Sequence, residues 1–408
     1  MALRDDVVTA PSPRLRNARA AVGACFFVNA VLYANLVPRL PEVKERLGLS
    51  ATSLGTALAA LPLGALLAGL SAAVLIRRLG SGRVASWGLV LLAGVIWAVA
   101  VAPSWGALAA VLLVAGALDA VVDVAQNAHG LRVQRRYGRS ILNAFHGIWS
   151  IGAVAGGILG SAAAGLGVPL GVHLGISAAV FGGVALLASR AVLPGPDDAG
   201  RDAAPHGGRP GPGRHPARAA VAALAALGVL AVCGALVEDA GASWSALYLR
   251  EELLTGAATA GLGFVALQAA MTTGRLTGDR VVDRFGRRRV VRVGGALTAA
   301  GMGLALALPS VATTLVGFTL AGLGVATLVP AVYAAADELP GLPAGLGLTV
   351  VNWLLRIGFL LSPPLVGAVA DATSLRVALL TVVLAGLGAL VLGRTLRPAP
   401  PVRARLSA

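Results

Sequence analysis

The stretch PGPDDAGRDAAPHGGRPGPGRHPAR, residues 194–218, is built of proline, glycine and charge with no apolar period, and reads as a flexible polar linker. On its N-terminal side lie six apolar stretches, near 17–38, 51–76, 84–103, 105–130, 141–166 and 170–189. Six more follow it, near 219–249, 258–279, 290–308, 311–336, 345–371 and 375–394. Each has about the 20 residues that a helix needs to cross a bilayer. The expected fold is therefore an all-α polytopic membrane protein of twelve transmembrane helices in two pseudo-symmetric six-helix bundles. The bundles occupy 17–190 and 219–394, with a tail at 1–16, the linker at 191–218 and a second tail at 395–408.

Composition supports that partition and excludes its competitors. Of 408 residues, 57% are hydrophobic and only 12% charged, half the roughly 25% charge that coats a soluble domain. The chain is too apolar for disorder, lacks the three-residue period of collagen, and has two cysteines, too few for a disulfide scaffold. Cys25 and Cys233 both fall within spans and read as packing residues. The net charge of +15 does not imply nucleic acid, because the basic residues punctuate apolar stretches instead of clustering among aromatics. They also set the orientation. Alternate loops and tails hold 26 arginines against five Lys and Arg in the others, which places both termini in the cytoplasm. The first apolar run is a full span with no small-residue cleavage site, so no cleaved signal is expected, and the location expected is the inner, cytoplasmic membrane.

The halves repeat. Arg77-Arg78-Leu79-Gly80 and Asp283-Arg284-Phe285-Gly286 lie 206 positions apart, as do Ile151-Gly152 and Ile357-Gly358. Parallel six-helix repeats put a substrate site near the midplane at their interface, about which the halves rock.

Gly274 to Arg289, containing Asp279, Arg280, Asp283, Arg284, Gly286, Arg287 and Arg288, resembles the cytoplasmic signature of the major facilitator superfamily, Asp-Arg-x-Gly-Arg-Arg. Its twin after the second span keeps Arg78, Gly80 and Arg83, with Arg77 where the family has Asp. Pro38-Arg39-Leu40-Pro41, Asp123-Val124-Ala125-Gln126-Asn127, Phe145-His146-Gly147, Trp149-Ser150-Ile151-Gly152 and Trp244 to Leu249 resemble the branch of that superfamily named for the rhizopine transport protein. The branch has an acid just before the Trp of the seventh span; here Ser243 stands there and Asp239 lies one turn earlier. The resemblance implies alternating-access transport, with Asp279, Asp283, Arg284 and Gly286 as a gate.

Polar side chains inside spans are costly and mark function by default. Helices three and twelve contain no charge, and six and nine have it only near their ends, which leaves every third helix facing lipid. Charge falls instead on helix four (Asp119, Asp123), seven (Glu238, Asp239) and eleven (Arg356). Neutral polar groups lie on helix one (Asn29, Tyr33), five (His146, beside Trp149), eight (Gln268), ten (Tyr333) and eleven (Asn352). These residues, with Asn127, are the expected substrate contacts.

Asp119, Asp123 and Asn127 recur every four residues on one helix face. Asp119 is nearest mid-span, where desolvation disfavours a charged carboxylate, so it is the expected proton carrier with Asp123 as relay and Glu238 as the other coupling candidate. Asp123 reads equally as a brace to arginines such as Arg132. Glu238 and Asp239 point about 100° apart, so at most one faces the cavity centre, and Glu238 is preferred. Arg356 is too deep to snorkel and needs an anion, either Glu238 or Asp239 in a permanent bridge or a substrate group. His146 also reads as a helix-end hydrogen bonder, and Trp149 as an interface aromatic. Gly152, Gly156 and Gly160 form a small-residue face for close helix packing.

No phosphate loop, zinc-ligand cluster or hydrolase serine elbow is present, so no enzyme, metal or cofactor is expected. The expectation is a monomeric secondary active transporter, with a small-molecule substrate, protons and the lipid bilayer as its partners. Proton-coupled export of a small polar or amphipathic solute comes first. Proton-coupled uptake of a sugar-like solute is the alternative, and a non-transporting sensor that kept the fold is a rival from another class.

Overall fold

The computed structural model describes residues 12–138, 141–195, 218–339, 342 and 346–396. Residues 1–11, Arg139, most of the linker (196–217) and the tail from 397 lie outside the described residues. The described chain is helical almost throughout. Helices α1 (Pro13–Leu36), α2 (Leu40–Leu47), α3 (Ala51–Ala68), α4 (Ala72–Leu79), α5 (Ser81–Ala98), α6 (Trp105–Tyr137), α7 (Leu142–Gly165) and α8 (Leu170–Ala188) precede the linker. After it come α9 (Arg218–Leu247), α10 (Ala257–Phe285), α11 (Arg287–Ala307), α12 (Val311–Val325), α13 (Leu328–Asp337), α14 (Leu346–Ala372), α15 (Leu375–Ala378) and α16 (Leu380–Leu392). The short helices continue longer ones across a 3₁₀ turn, a bend or a break.

Among the described residues, eleven of the resulting rods are long and apolar enough to cross a membrane. The twelfth stretch expected, 258–279, lies in α10. At 29 residues α10 is long enough, but Ala, Gly and Thr dilute its apolar half, and Arg275, Asp279, Arg280, Asp283 and Arg284 fill the other. It packs against α7, α9 and α12.

The repeat is visible in backbone geometry. Gly80 joins α4 to α5 with φ 86°, ψ 142°, and Gly286 joins α10 to α11 with φ 81°, ψ 144°. Both lie in a region that side chains with a Cβ rarely enter, so the twin loops need glycine at these two positions.

The glycine face of α7 packs as its spacing implies, against α1 within the same half. A Cβ on Gly152 would sit 2.6 Å from the Phe27 carbonyl oxygen, and one on Gly156 2.7 Å from that of Val31. Small residues let the two backbones touch. The face does not act between the halves, because the other side of α7 meets α10 there.

Arg39, buried off the cavity, is fully engaged. Arg39 donates to Glu42 and the Val168 carbonyl (2.8 Å) and to His173 Nδ1 (3.2 Å), so His173 Nε2–H donates to Asn35 Oδ1 (2.8 Å). Asn35 in turn donates to Ser177 (2.6 Å). The motif Pro38-Arg39-Leu40-Pro41 thereby fixes the α1–α2 bend onto α8, satisfying polar groups that would be expensive if left alone. Cys25 and Cys233 are buried and unbridged, in keeping with packing roles.

Candidate functional site

Between α1–α8 and α9–α16 lies a cavity of about 590 Å³, within the 300–1,000 Å³ typical of small-molecule sites. Helical spacing delivers its lining. Phe26, Asn29 and Tyr33 follow one face of α1, and Asp119 and Asp123 lie one turn apart on α6. α7 contributes His146 and Trp149; α9 Glu238, Asp239 and Ser243; α10 Phe264, Gln268 and Arg275; α14 Arg356 and Phe359.

The cavity is shut at one end. Far from Pro13 and the chain's last helical turn, Lys44 pairs with Glu251 across the halves at 2.8 Å. Asp371, near the end of α14, accepts hydrogen bonds from the Ala51 and Thr52 backbone amides at 2.9 and 2.8 Å, capping the start of α3 in the other half. Below this cap, Gly55 packs on the Pro363 carbonyl and Gly367 on that of Ala51. Toward the opposite, terminus-bearing end, Asp123, His146, Arg275 and Arg356 are exposed. Leu58, Ala153 and Phe264, toward the sealed end, are buried.

The polar groups form two clusters. In the first half, Trp149 Nε1–H donates to Asn29 Oδ1 (2.9 Å), and Asn29 Nδ2 donates to Asp119 Oδ1 (2.7 Å). One asparagine thus orients both an indole and a carboxylate. Asp123 accepts from Asn127 Nδ2 (3.0 Å) and Gln126 Nε2 (3.4 Å) of its own helix. Arg132, offered above as its brace, is buried and donates to the Leu193 and Pro194 carbonyls at 3.0 and 2.6 Å.

In the second half, Ser243 donates to Asp239 Oδ1 (2.9 Å), and buried Asp239 lies beside Ser362 of α14. Glu238 pairs with Arg275 of α10 at 3.4 Å. Tyr33 lies within electrostatic reach of both Asp119 and Asp239, joining the two clusters.

Of the expected substrate contacts, Asn29, Tyr33, Asp119, His146, Trp149, Glu238, Asp239, Gln268 and Arg356 line the cavity. Asn127, Tyr333 and Asn352 do not: Asn127 is spent on Asp123, and Tyr333 donates to Asn352 at 2.8 Å. Neither bridge offered for Arg356, to Glu238 or to Asp239, is present among the described residues, and Arg275 reaches Glu238 instead. Arg356 faces the open part of the cavity, within electrostatic reach of Asp123 and Tyr333. Sequence reasoning passed over Arg275, absorbed into the signature loop, and Ser243, noted only as a missing acid. Arg275 lies four residues from the end of its expected span, so the depth rule that singled out Arg356 does not reach it.

Asp279, Asp283 and Arg284, expected as a gate, are exposed at the open end, with the Arg284 guanidinium 5.5 Å from the Phe285 ring centroid. Among the described residues no cluster of His, Cys, Asp and Glu is arranged to hold a metal.

Comparison with known proteins is consistent with this architecture. The family model described as Major Facilitator Superfamily matches residues 22–237 and 224–408. Membrane protein MosC of Rhizobium meliloti is 31% identical over 376 residues, 90% of this chain and 87% of that protein. An uncharacterized MFS-type transporter of Yersinia pestis is 30% identical over 361 residues, 86% of this chain and 89% of its own. Among solved structures, a bacterial homologue of the human lysosomal transporter Spinster, in an inward-facing and occupied conformation, superposes with a TM-score of 0.75 at 15% identity. That match covers 95% of this chain and 98% of the other.

Proposed function

Since the chain belongs to the major facilitator superfamily and is a membrane transporter rather than an enzyme, we propose that it exports a small polar or amphipathic solute across the inner membrane in exchange for protons. The observation that carries this reading is that carboxylates of both halves, Asp119 from one and Glu238 and Asp239 from the other, face a single solute-sized cavity sealed at one end. Rocking the halves about that cavity exposes it to the other side.

In this reading α10 is the twelfth crossing, its polar stripe tolerated because it faces the cavity and its neighbours. The 26-to-5 distribution of basic residues puts both termini and the open end in the cytoplasm. The site then loads from the cytoplasm, the loading side for an exporter, and the protein acts as a monomer.

Asp119 carries the proton. It alone among the cavity acids combines mid-span depth with a same-face path through Asp123 toward the open end. Its bond from Asn29 favours the charged form and desolvation opposes it, so a change in either environment as the halves rock transfers the proton. Arg356 and Arg275 set the cationic side of the solute site, and Trp149, fixed by Asn29, offers it a flat apolar face.

Purified protein in proteoliposomes, given a solute panel under an imposed pH gradient, tests the reading. Solute flux opposite to proton flux, lost in Asp119→Asn while counterflow exchange survives, is the expected result. Flux in the same direction as protons supports the second reading, uptake of a sugar-like solute, which the amide and indole lining at Asn29, Gln268 and Trp149 favours. If no solute moves under any gradient, transport coupled to protons is wrong.

A further inference from the structure

A second hollow, of about 600 Å³, lies on the outside of the first half, at the terminus-bearing end, between α1, α7, α8 and the end of α6. Its lining shares no residue with that of the transport cavity. Its walls are apolar: Phe27 and Phe181 face each other with ring centroids 6.3 Å apart, and Phe145 and Ile148 form the α7 side. Its floor is small, with Ala20, Gly23 and Ala144. Its rim carries Arg16 and Arg19, with Arg19 donating to the Tyr137 hydroxyl at 3.2 Å and its guanidinium 5.2 Å from that ring's centroid.

We infer that this groove holds one anionic phospholipid, its phosphate at Arg16, Arg19 and Tyr137 and an acyl chain along the apolar floor. Dimensions and charge both carry this. From Arg16 to Phe27 is eleven residues of helix, about 16 Å at 1.5 Å per residue, close to half of the ~30 Å hydrocarbon core. The groove therefore runs from headgroup level to the bilayer centre, as an acyl chain of one leaflet does. Basic pockets between membrane helices favour anionic headgroups, and two arginines beside a phenol supply charge and hydrogen bonds to one phosphate. An apolar helix of another protein would fit the floor but not explain a cationic rim confined to one end.

The test is lipid binding to the purified full-length protein. After delipidation in neutral detergent, phosphatidylglycerol and phosphatidylcholine are titrated in and bound lipids counted by native mass spectrometry. Phosphatidylglycerol should bind as a single tight copy, preferred by roughly 30-fold at the contribution each of two rim arginines makes near an anionic surface. Arg16→Gln with Arg19→Gln should abolish the preference, and Ala144→Phe, which fills the floor and leaves the rim, should release both lipids. Should the double variant fail to fold, Ala144→Phe together with competition by inorganic phosphate decides the matter. Equal binding of the two lipids by the wild type, unchanged retention in Ala144→Phe, or displacement by phosphate alone would each overturn the assignment.

Discussion

Asp371→Ala should open the sealed end of the cavity more often. In the described state this carboxylate accepts two backbone amides at the first turn of α3, which belongs to the other half. These bonds can exist only while the two halves are closed there, so their loss destabilises that state and no other. A side-chain cap is worth about 0.5–2 kcal/mol; Asp371 is exposed, so screening puts its share nearer 1 kcal/mol. That shifts a two-state equilibrium about fivefold toward the opposite opening. Asp371→Asn keeps one acceptor and should shift it less. Adding Lys44→Ala removes the partly exposed ion pair to Glu251, worth about 0–1 kcal/mol more. Glu45 and Leu254 are exposed on either side of this seam, and the native cysteines are buried. Spin labels at Glu45→Cys and Leu254→Cys therefore report the separation of the halves by pulsed dipolar spectroscopy. The long-distance population should rise about fivefold in Asp371→Ala. An unchanged distance distribution in a folded variant would refute the idea that this cap holds the end shut.

Other perturbations separate the remaining parts. Asp283→Asn, at the open end, should bias the same spin-label pair the opposite way, since the signature loop is read as closing that end in the alternate state; a shift in the same direction as Asp371→Ala removes the gate assignment. Asp119→Asn should end concentrative transport and spare exchange, whereas the same pattern from Glu238→Gln alone moves the proton site to α9. A double-mutant cycle of Glu238→Gln with Arg275→Gln, followed by thermal unfolding in detergent, should couple by about 0.2–1 kcal/mol, and the cycle of Glu238→Gln with Arg356→Met should be near zero. Gly55→Val puts side-chain atoms against the Pro363 carbonyl, so it should trap the protein away from the sealed state and slow turnover while binding assays still detect solute.

How far the sequence reached depends on which interactions decide a feature. The cavity-facing positions of α1, α6 and α9 were legible because a polar group within an apolar span has few stable places, and periodicity assigns the face. Pairing was not legible. Whether Glu238 meets Arg275 or Arg356 depends on the tilt of α10 and α14 against α9, a few ångströms that spacing along one helix does not encode. Asn352 and Tyr333 satisfy each other for the same reason, and withdraw from the cavity that their depth alone suggests. The seal is not legible either, because nothing along α14 says that Asp371 meets the start of α3.

The repeat carries further than the motifs that first disclosed it. Gly55 and Gly261, Pro363 and Gly157, Gly367 and Ser161, Asp371 and Gly165, and Thr52 and Ala258 each lie 206 positions apart. The first members of these pairs meet along the α3–α14 seam, with Gly55 on Pro363, Gly367 against Thr52 and Asp371 on Thr52. Of the second members, Gly261 meets Ser161 and Gly165 meets Ala258 along the α7–α10 seam, while Gly157 packs on Phe264 of the same α10. The two seams are thus counterparts under the same pseudo-symmetry, and among these paired positions Asp371 is the one carboxylate. Where Asp371 grips two amides, Gly165 offers a bare backbone to the Ala258 methyl. Small-residue contacts slide at little cost, whereas a capping bond is made or broken. The α7–α10 seam is therefore suited to act as the bearing and the α3–α14 seam as the latch. Lys44 and Arg250, also 206 apart, follow the same division: Lys44 crosses to Glu251, and Arg250 stays on its own side, donating to the Thr255 carbonyl.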